Sequence, residues 1–300
     1  MKKIILTIFG VLSLLLLWYF FVKSHDYQVN FTIKALPGTI NQSVKTWNKQ
    51  LHSEFPIQQS SLNEFQQKLR FSDSTHIYNW NIKALNDSVS RVSIYATDPT
   101  HSFANKLKIP FVDTDFEKRT RKSILDFSEK LKEHLDTFKV TIVGEEDLKS
   151  TFCAYIEVKS TQYEKANGMM RNYPLLDGIL SKNKVKLNGM PFVEVIDWNM
   201  NNDSITYNFC YPIIRSENLP VHPEMKYKRF FGKKTLKAIY NGNYITSDRA
   251  WYALINYAKK ENIPVKETPI EYFFNNPNIG GNELKWKAAV HLPVEESYEN

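Results

Sequence analysis

KKTLKAIYNGNYITSDRAWYALINYAKKENIPVKETPIEYFFNNP, residues 233–277, is the stretch whose pattern decides the fold. Leu236, Ala238 and Tyr240 alternate with polar neighbours, which is the period of a half-buried strand, and Asn241-Gly242-Asn243 supplies turn chemistry. The period then changes. Trp251, Leu254, Ile255 and Ala258 recur at three- and four-residue steps, predicting an amphipathic helix from about Ser247 to Glu261 with Ser247 as its cap. Pro264 ends that helix, Pro269 to Phe274 reads as a strand, and Asn275-Asn276-Pro277 with Gly280-Gly281 turns into a last strand, Leu284 to Val294. The unit is strand, helix, strand, strand.

The same order occurs upstream. Phe152 to Val158 alternates, and Tyr163 to Leu180 is helical, with Met169, Met170, Leu175, Leu176, Ile179 and Leu180 available for a buried face. Gly189 to Val195 and Ile205 to Ile214 make two further strands, joined at the polar turn Trp198 to Asp203. A unit that recurs at roughly eighty residues is an internal duplication.

Three pieces of this half carry a resemblance: Gly242-Asn243-Tyr244 before the helix, Ala250-Trp251 on its first turn, and Pro269-Ile270-Glu271-Tyr272 followed by Pro277. In order and spacing they resemble the GyrI-like, or AraC-type effector-binding, domain. The resemblance implies two pseudo-symmetric repeats with a small-molecule pocket between them. It makes Glu271 the pocket acid, accompanied by Tyr272, Tyr244 and Trp251. Trp198, beside its polar turn, either rims that pocket or covers the sheet edge. Each has an ordinary alternative, since a strand glutamate commonly faces water and a helix-face tryptophan such as Trp251 commonly fills core. A carboxylate buried among rings is costly unless protonated or met by a cation, so a pocket Glu271 favours basic ligands, while the rings suit a flat or cationic one. Glu194 stays outside the set: it lies three residues after Pro191, whereas Glu271 lies two after Pro269, and a slip of one reverses the facing of a strand residue.

Composition bounds the function classes. The 300 residues, 42% hydrophobic and 14% aromatic, suffice for two ordinary domains with filled cores. The net charge of +7 is scattered, and its densest cluster, Lys226, Lys228, Arg229, Lys233 and Lys234, is short. No helix-turn-helix, zinc knuckle or basic aromatic sheet accompanies it, so nucleic acid is not an expected partner. Enzyme motifs such as Gly-x-Ser-x-Gly, His-Glu-x-x-His or a phosphate loop are absent from the sequence. The seven histidines show no metal-ligand spacing, and no metal, cofactor or catalytic residue is assigned. The resemblance leaves one enzymatic alternative, hydrolysis of strained electrophilic small molecules with Glu271 as general base. A third alternative is a structural envelope protein without a ligand. Cys153 and Cys210 fall on the first and third strands of one repeat, as buried free thiols or, in an oxidising compartment, as a disulfide.

At the other end, Ile4 to Val22 is a continuous apolar run closed by Trp18-Tyr19-Phe20-Phe21 and Lys23. It exceeds the apolar region of a cleaved signal, lacks a small-x-small cleavage site, and matches a bilayer core of about 30 Å. The expectation is an uncleaved single-pass anchor through residues 4–22; the alternative is a long signal peptide. Lys2 and Lys3 precede the run and only Lys23 closely follows it, which puts the N-terminus in the cytoplasm and the bulk in the periplasm or exterior.

Tyr27 to about Thr137 contains a strand (Gln28 to Ile33), an Ala35-Leu36-Pro37-Gly38 break, a helix holding Val44 and Trp47, and alternating runs at 64–71, 76–85 and 89–97. A long amphipathic helix, Phe116 to Phe138, closes it. That order resembles the helix-grip domain of the START and polyketide-cyclase superfamily, shortened by one or two strands and reduced to a structural spacer. Val140 to Lys149, with Gly144-Glu145-Glu146-Asp147, reads as a polar boundary. The expected fold is α+β: a transmembrane anchor (1–25), a reduced helix-grip domain (26–140), and a duplicated effector-binding domain (148–296) with repeats at about 150–215 and 226–295. The expected function is membrane-anchored binding of a small hydrophobic or cationic ligand, by sensing or sequestration.

Overall fold

The computed structural model describes residues 2–295, which fall into two compact units that divide between residues 132 and 133. In the first unit, α1 (Lys2–Leu17) continues through a π-helical turn, Trp18–Val22. From Ile4 onward it is apolar on every side but for Thr7 and Ser13, with no stripe to bury, and no part of the apolar window is buried inside the protein. Strand β1 (Tyr27–Ile33) leads to α2 (Pro37–Gln50), where Pro37 sits in the first turn and its missing N–H costs nothing. Strands β2 (Gln58–Ser61), β3 (Glu64–Arg70), β4 (Thr75–Ala84) and β5 (Ser90–Thr97) follow, then α3 (Ser102–Lys108) and α4 (Asp115–Leu135). The antiparallel sheet has the order β1-β5-β4-β3-β2.

One face of that sheet, with Tyr78, Trp80, Ile82, Val92, Ile94 and Ala96, is buried. The rings of Trp47 from α2 and Trp80 from β4 lie 5.3 and 5.1 Å from that of Phe127 on α4. Trp47 Nε1 donates to Asp126 at 2.7 Å, so the indole is placed as well as packed. These large side chains fill the interior between the sheet and the two helices. Strand β2 and helix α3, too short to show a period, lie in stretches that the sequence pattern leaves as connections.

The second unit holds β6 (Lys139–Leu148), β7 (Thr151–Thr161), α5 (Lys165–Lys182), β8 (Phe192–Asn199), β9 (Ser204–Ile213), β10 (Lys226–Phe230), β11 (Lys233–Asn241), α6 (Arg249–Glu261), β12 (Ile270–Phe273) and β13 (Lys287–Pro293). Its eight strands form one antiparallel sheet, ordered β10-β7-β9-β8-β12-β13-β11-β6. Two strand-helix-strand-strand repeats meet at β8 and β12.

The stretch from Val140 to Lys149, expected as a polar boundary, is therefore almost wholly an edge strand, Lys139–Leu148. Their acidic run hides the alternation because it faces lysines across the ladder: Lys234 bonds Glu145 at 2.6 Å and Lys237 bonds Glu146 at 2.7 Å. The two edge strands are exchanged. β6 precedes the first repeat yet pairs with β11 of the second, and β10 precedes the second repeat yet pairs with β7 of the first.

Smaller boundaries also differ from the sequence pattern. Ser247 does not cap α6; the helix is entered through a 3-10 turn, Tyr244–Thr246, whose first N–H groups are met by Asn243. Asn262, in the left-handed region at φ 55°, ends it. β13 begins at Lys287 rather than Leu284 because two 3-10 turns, Pro277–Ile279 and Glu283–Lys285, fill the connection. The side chains of Asn276 and Asn282 each accept a backbone N–H at 3.0 Å there.

Candidate functional site

The junction of the two repeats carries acids on opposite faces. Across it Ile270 pairs with Glu194, Glu271 with Val193 and Tyr272 with Phe192. Side chains alternate along a strand, so Glu271 points to one face and Glu194 and Tyr272 point to the other.

Glu271 faces α5 and α6 and is fully buried. One carboxylate oxygen bonds Lys165 at the start of α5, and the other accepts from Trp251 Nε1 at 2.8 Å. Lys165, itself buried, also donates to Ser247 Oγ at 2.8 Å and lies 4.5 Å from the Trp251 ring centroid. The arrangement is a cation cage already filled by the chain's own ammonium. Trp198 packs edge-on to Trp251, with centroids 5.0 Å apart, and donates to Gln162 at 2.9 Å. Gln162 in turn donates to Asp248 and to the Tyr252 hydroxyl. Burial raises the Asp248 carboxyl above its ordinary value, while Arg249 beside it pulls the other way. Of the expected pocket residues, the structure thus unites Glu271, Trp251 and Trp198.

Tyr244 and Tyr272 lie elsewhere. Tyr244 is buried against Phe273 and Trp286, and its hydroxyl donates to the Lys287 carbonyl at 3.0 Å, tying the α6 entry to β13. Tyr272 lies on the face turned from both helices, 5.1 Å from Phe192 and edge-on to His291.

That second face has its own acid. Glu194 is 14% exposed and bonds Lys228, which is 23% exposed, while Lys233 approaches to 3.9 Å. Burial lowers the Lys233 ammonium below its ordinary value. Lys228 lies 5.1 Å from the Tyr155 ring and Lys233 4.8 Å from that of Phe230. Beneath them Cys153, Phe192, Cys210, Phe230 and Ile270 form an apolar floor, with Tyr155, Tyr272 and Leu148 half-buried around it. The Asn208 amide donates to Glu194 at 3.3 Å, yet its oxygen is buried without a partner, as is Thr151 Oγ1 on the same face. Both cysteines are free, and burial pushes the Cys210 thiol up, away from the reactive thiolate.

Lys165 was not among the expected site residues although a signal existed. It stands at helical steps with Met169, Leu176 and Leu180, the buried stripe of α5. Among the described residues no group of three or more His, Cys, Asp or Glu is placed to hold a metal.

No known family model matches the chain, and no curated protein matches it. Among solved structures it is similar to the C-terminal domain of EcmrR, at 11% identity and TM-score 0.44, over 53% of this chain and 98% of that one. It is also similar to SAV2435 bound to tetraphenylphosphonium, at 12% identity and TM-score 0.38, over 52% of this chain and 94% of that one. A third similarity, over 89% of this chain and 84% of the other, is to the di-domain ARO/CYC BexL from the BE-7585A biosynthetic pathway, at 7% identity and TM-score 0.25. At these values no residue role or ligand carries over to this chain.

Proposed function

We propose that the protein is a membrane-anchored small-molecule-binding protein of GyrI-like type, acting by sensing or sequestration, and that its ligand is a hydrophobic organic cation received at Glu194. The supporting observation is the setting of Glu194: a carboxylate above an aromatic and apolar floor, paired with lysines that can swing into water. Magnitudes decide between the two acids. Displacing Lys165 from Glu271 would strand a charge in the interior, which costs about 3–5 kcal/mol. Releasing Lys228 from Glu194 costs less than that, because at 23% and 14% exposure both groups already reach water, whereas Lys165 and Glu271 do not. Glu271 is then the key that joins the repeats, and Glu194 the acid offered to a ligand.

Both Glu271 oxygens are engaged, so a hydrolase reading finds no free general base there. The apolar helix Lys3–Val22, of mean hydropathy 2.5, serves as the anchor, with the N-terminus cytoplasmic and the two units beyond the membrane. Protease accessibility in intact and opened cells checks that orientation.

The binding test is titration of the full chain in detergent with tetraphenylphosphonium. Glu194→Gln should weaken binding at least about tenfold, the worth of about 1.4 kcal/mol, with the melting temperature held. Glu271→Gln should instead lower the melting temperature. Loss of binding in Glu271→Gln alone, at unchanged melting temperature, would move the site to the helix side. Turnover of a strained electrophile that vanishes with Glu271→Gln would restore the hydrolase reading.

A further inference from the structure

Helix α3 presents an apolar stripe that the described residues leave largely exposed. Phe103, Leu107 and Phe111 recur at four-residue steps and are 60%, 51% and 83% exposed, with Val112 at 56% beside them. The stripe runs past the helix end because the N–H groups of Phe111 and Val112 both bond back to the Lys108 carbonyl at 2.9 Å. Exposed apolar residues scattered singly are ordinary, but a contiguous row with two phenylalanines marks a contact surface.

Beside the stripe, α3 is fastened to the end of the N-terminal helix. Lys106, 5% exposed, donates through Nζ to the carbonyls of Phe20 and Lys23 at 3.2 and 2.6 Å, satisfying acceptors that a helix end leaves bare. Tyr19 returns a bond from its hydroxyl to the Lys106 carbonyl at 3.0 Å. The Phe20 and Phe103 rings stand 5.2 Å apart. The stripe is therefore held beside the exposed Trp18, Phe21 and Val22, where a spanning helix leaves the hydrocarbon and aromatic side chains meet the headgroups.

We propose that α3, with Phe111 and Val112, is an interfacial foot lying in the headgroup layer of the same bilayer that the N-terminal helix crosses. The occupant of the stripe is lipid. The proposal rests on the reading of that helix as a membrane span. Mechanically, the foot converts a single helix, free to swivel, into a two-point attachment that fixes how the first unit stands on the membrane. Lys106 is the positioning residue, since its ammonium holds α3 at the level of the helix end.

The test uses the full chain reconstituted in vesicles of phosphatidylcholine and phosphatidylglycerol. An environment-sensitive dye is placed on Phe111→Cys or, as the reference, on Leu14→Cys. The native Cys153 and Cys210 are fully buried, which directs the label to the introduced thiol. The expected result is blue-shifted emission at 111, quenched by lipid carrying a spin label near its headgroup, and emission at 14 quenched by a deep label. Lys106→Met should remove the shallow quenching at 111 and leave the deep quenching at 14. Water-like, unquenched emission at 111 with quenching kept at 14 overturns the foot while the anchor stands. No quenching at 14 overturns both. A blue shift at 111 without quenching by any lipid label means that a protein covers the stripe, and also overturns the proposal.

Discussion

At the scale of single residues, a buried pair governs the second unit. Lys165 and Glu271 sit on different repeats, both are buried, and each completes the other's charge and hydrogen bonding. Such a pair adds little net stability against an apolar pair of equal volume, yet removing one member leaves a stranded charge. Lys165→Met should therefore lower unfolding free energy by about 3–5 kcal/mol, and adding Glu271→Leu should recover most of that loss. Denaturant midpoints of the two single variants and the double variant check this; additive losses would mean that the two residues are not coupled. At Gly168 the restriction is steric, since an added Cβ would overlap the Tyr207 hydroxyl, itself donating to the Lys165 carbonyl at 3.2 Å. Gly168→Ala should cost about 1–3 kcal/mol, and Tyr207→Phe in the same chain should return part of it.

Strands and helices in the second unit are tied by neutral imidazoles. His291 on β13 bonds Thr235 on β11 at 3.0 Å, and burial lowers its pKa to about 4. His134, at the end of α4 beside Arg249, is likewise lowered to about 4, by burial first and by the guanidinium second. An unfolded histidine takes its proton near 6.5, so between about pH 6.5 and 4 the unfolded state binds more protons than the folded one. Stability is then full above about pH 6.5 and falls as pH drops through that window, by up to about 1.4 kcal/mol per pH unit for each histidine. Urea midpoints compared at about pH 7 and about pH 5 should show the loss, and His291→Gln should reduce its slope. A flat profile would place these imidazoles in water.

For the whole molecule, the exchanged edge strands make the second unit indivisible. A piece cut at 150–215 keeps β7, α5, β8 and β9 but loses β10, leaving the β7 edge without its partner, and α5 without the Glu271 that neutralises Lys165. Such a fragment should show no cooperative thermal transition by circular dichroism, whereas residues 133–295 should. A fragment 150–215 that melts cooperatively would show that each repeat is self-sufficient.

Much of this architecture was legible along the chain. Residues 233–277 announce strand, turn, helix and strand because local period and turn chemistry are properties of neighbours in sequence, and the apolar run after Lys3 is legible for the same reason. The acidic stretch 145–147 misled, since its strand character depends on lysines about ninety residues away that only the ladder brings opposite it. The site misled in the same way. Sequence spacing separates the facing of Glu194 from that of Glu271, but whether an acid meets an internal lysine or water depends on which helix crosses over it. Composition and periodicity determined the elements, the duplication and the apolar N-terminus; tertiary packing alone decided that Lys165 fills the cage at Glu271 and leaves Glu194 on the other face, because burial and charge pairing are long-range contacts that a linear pattern does not encode.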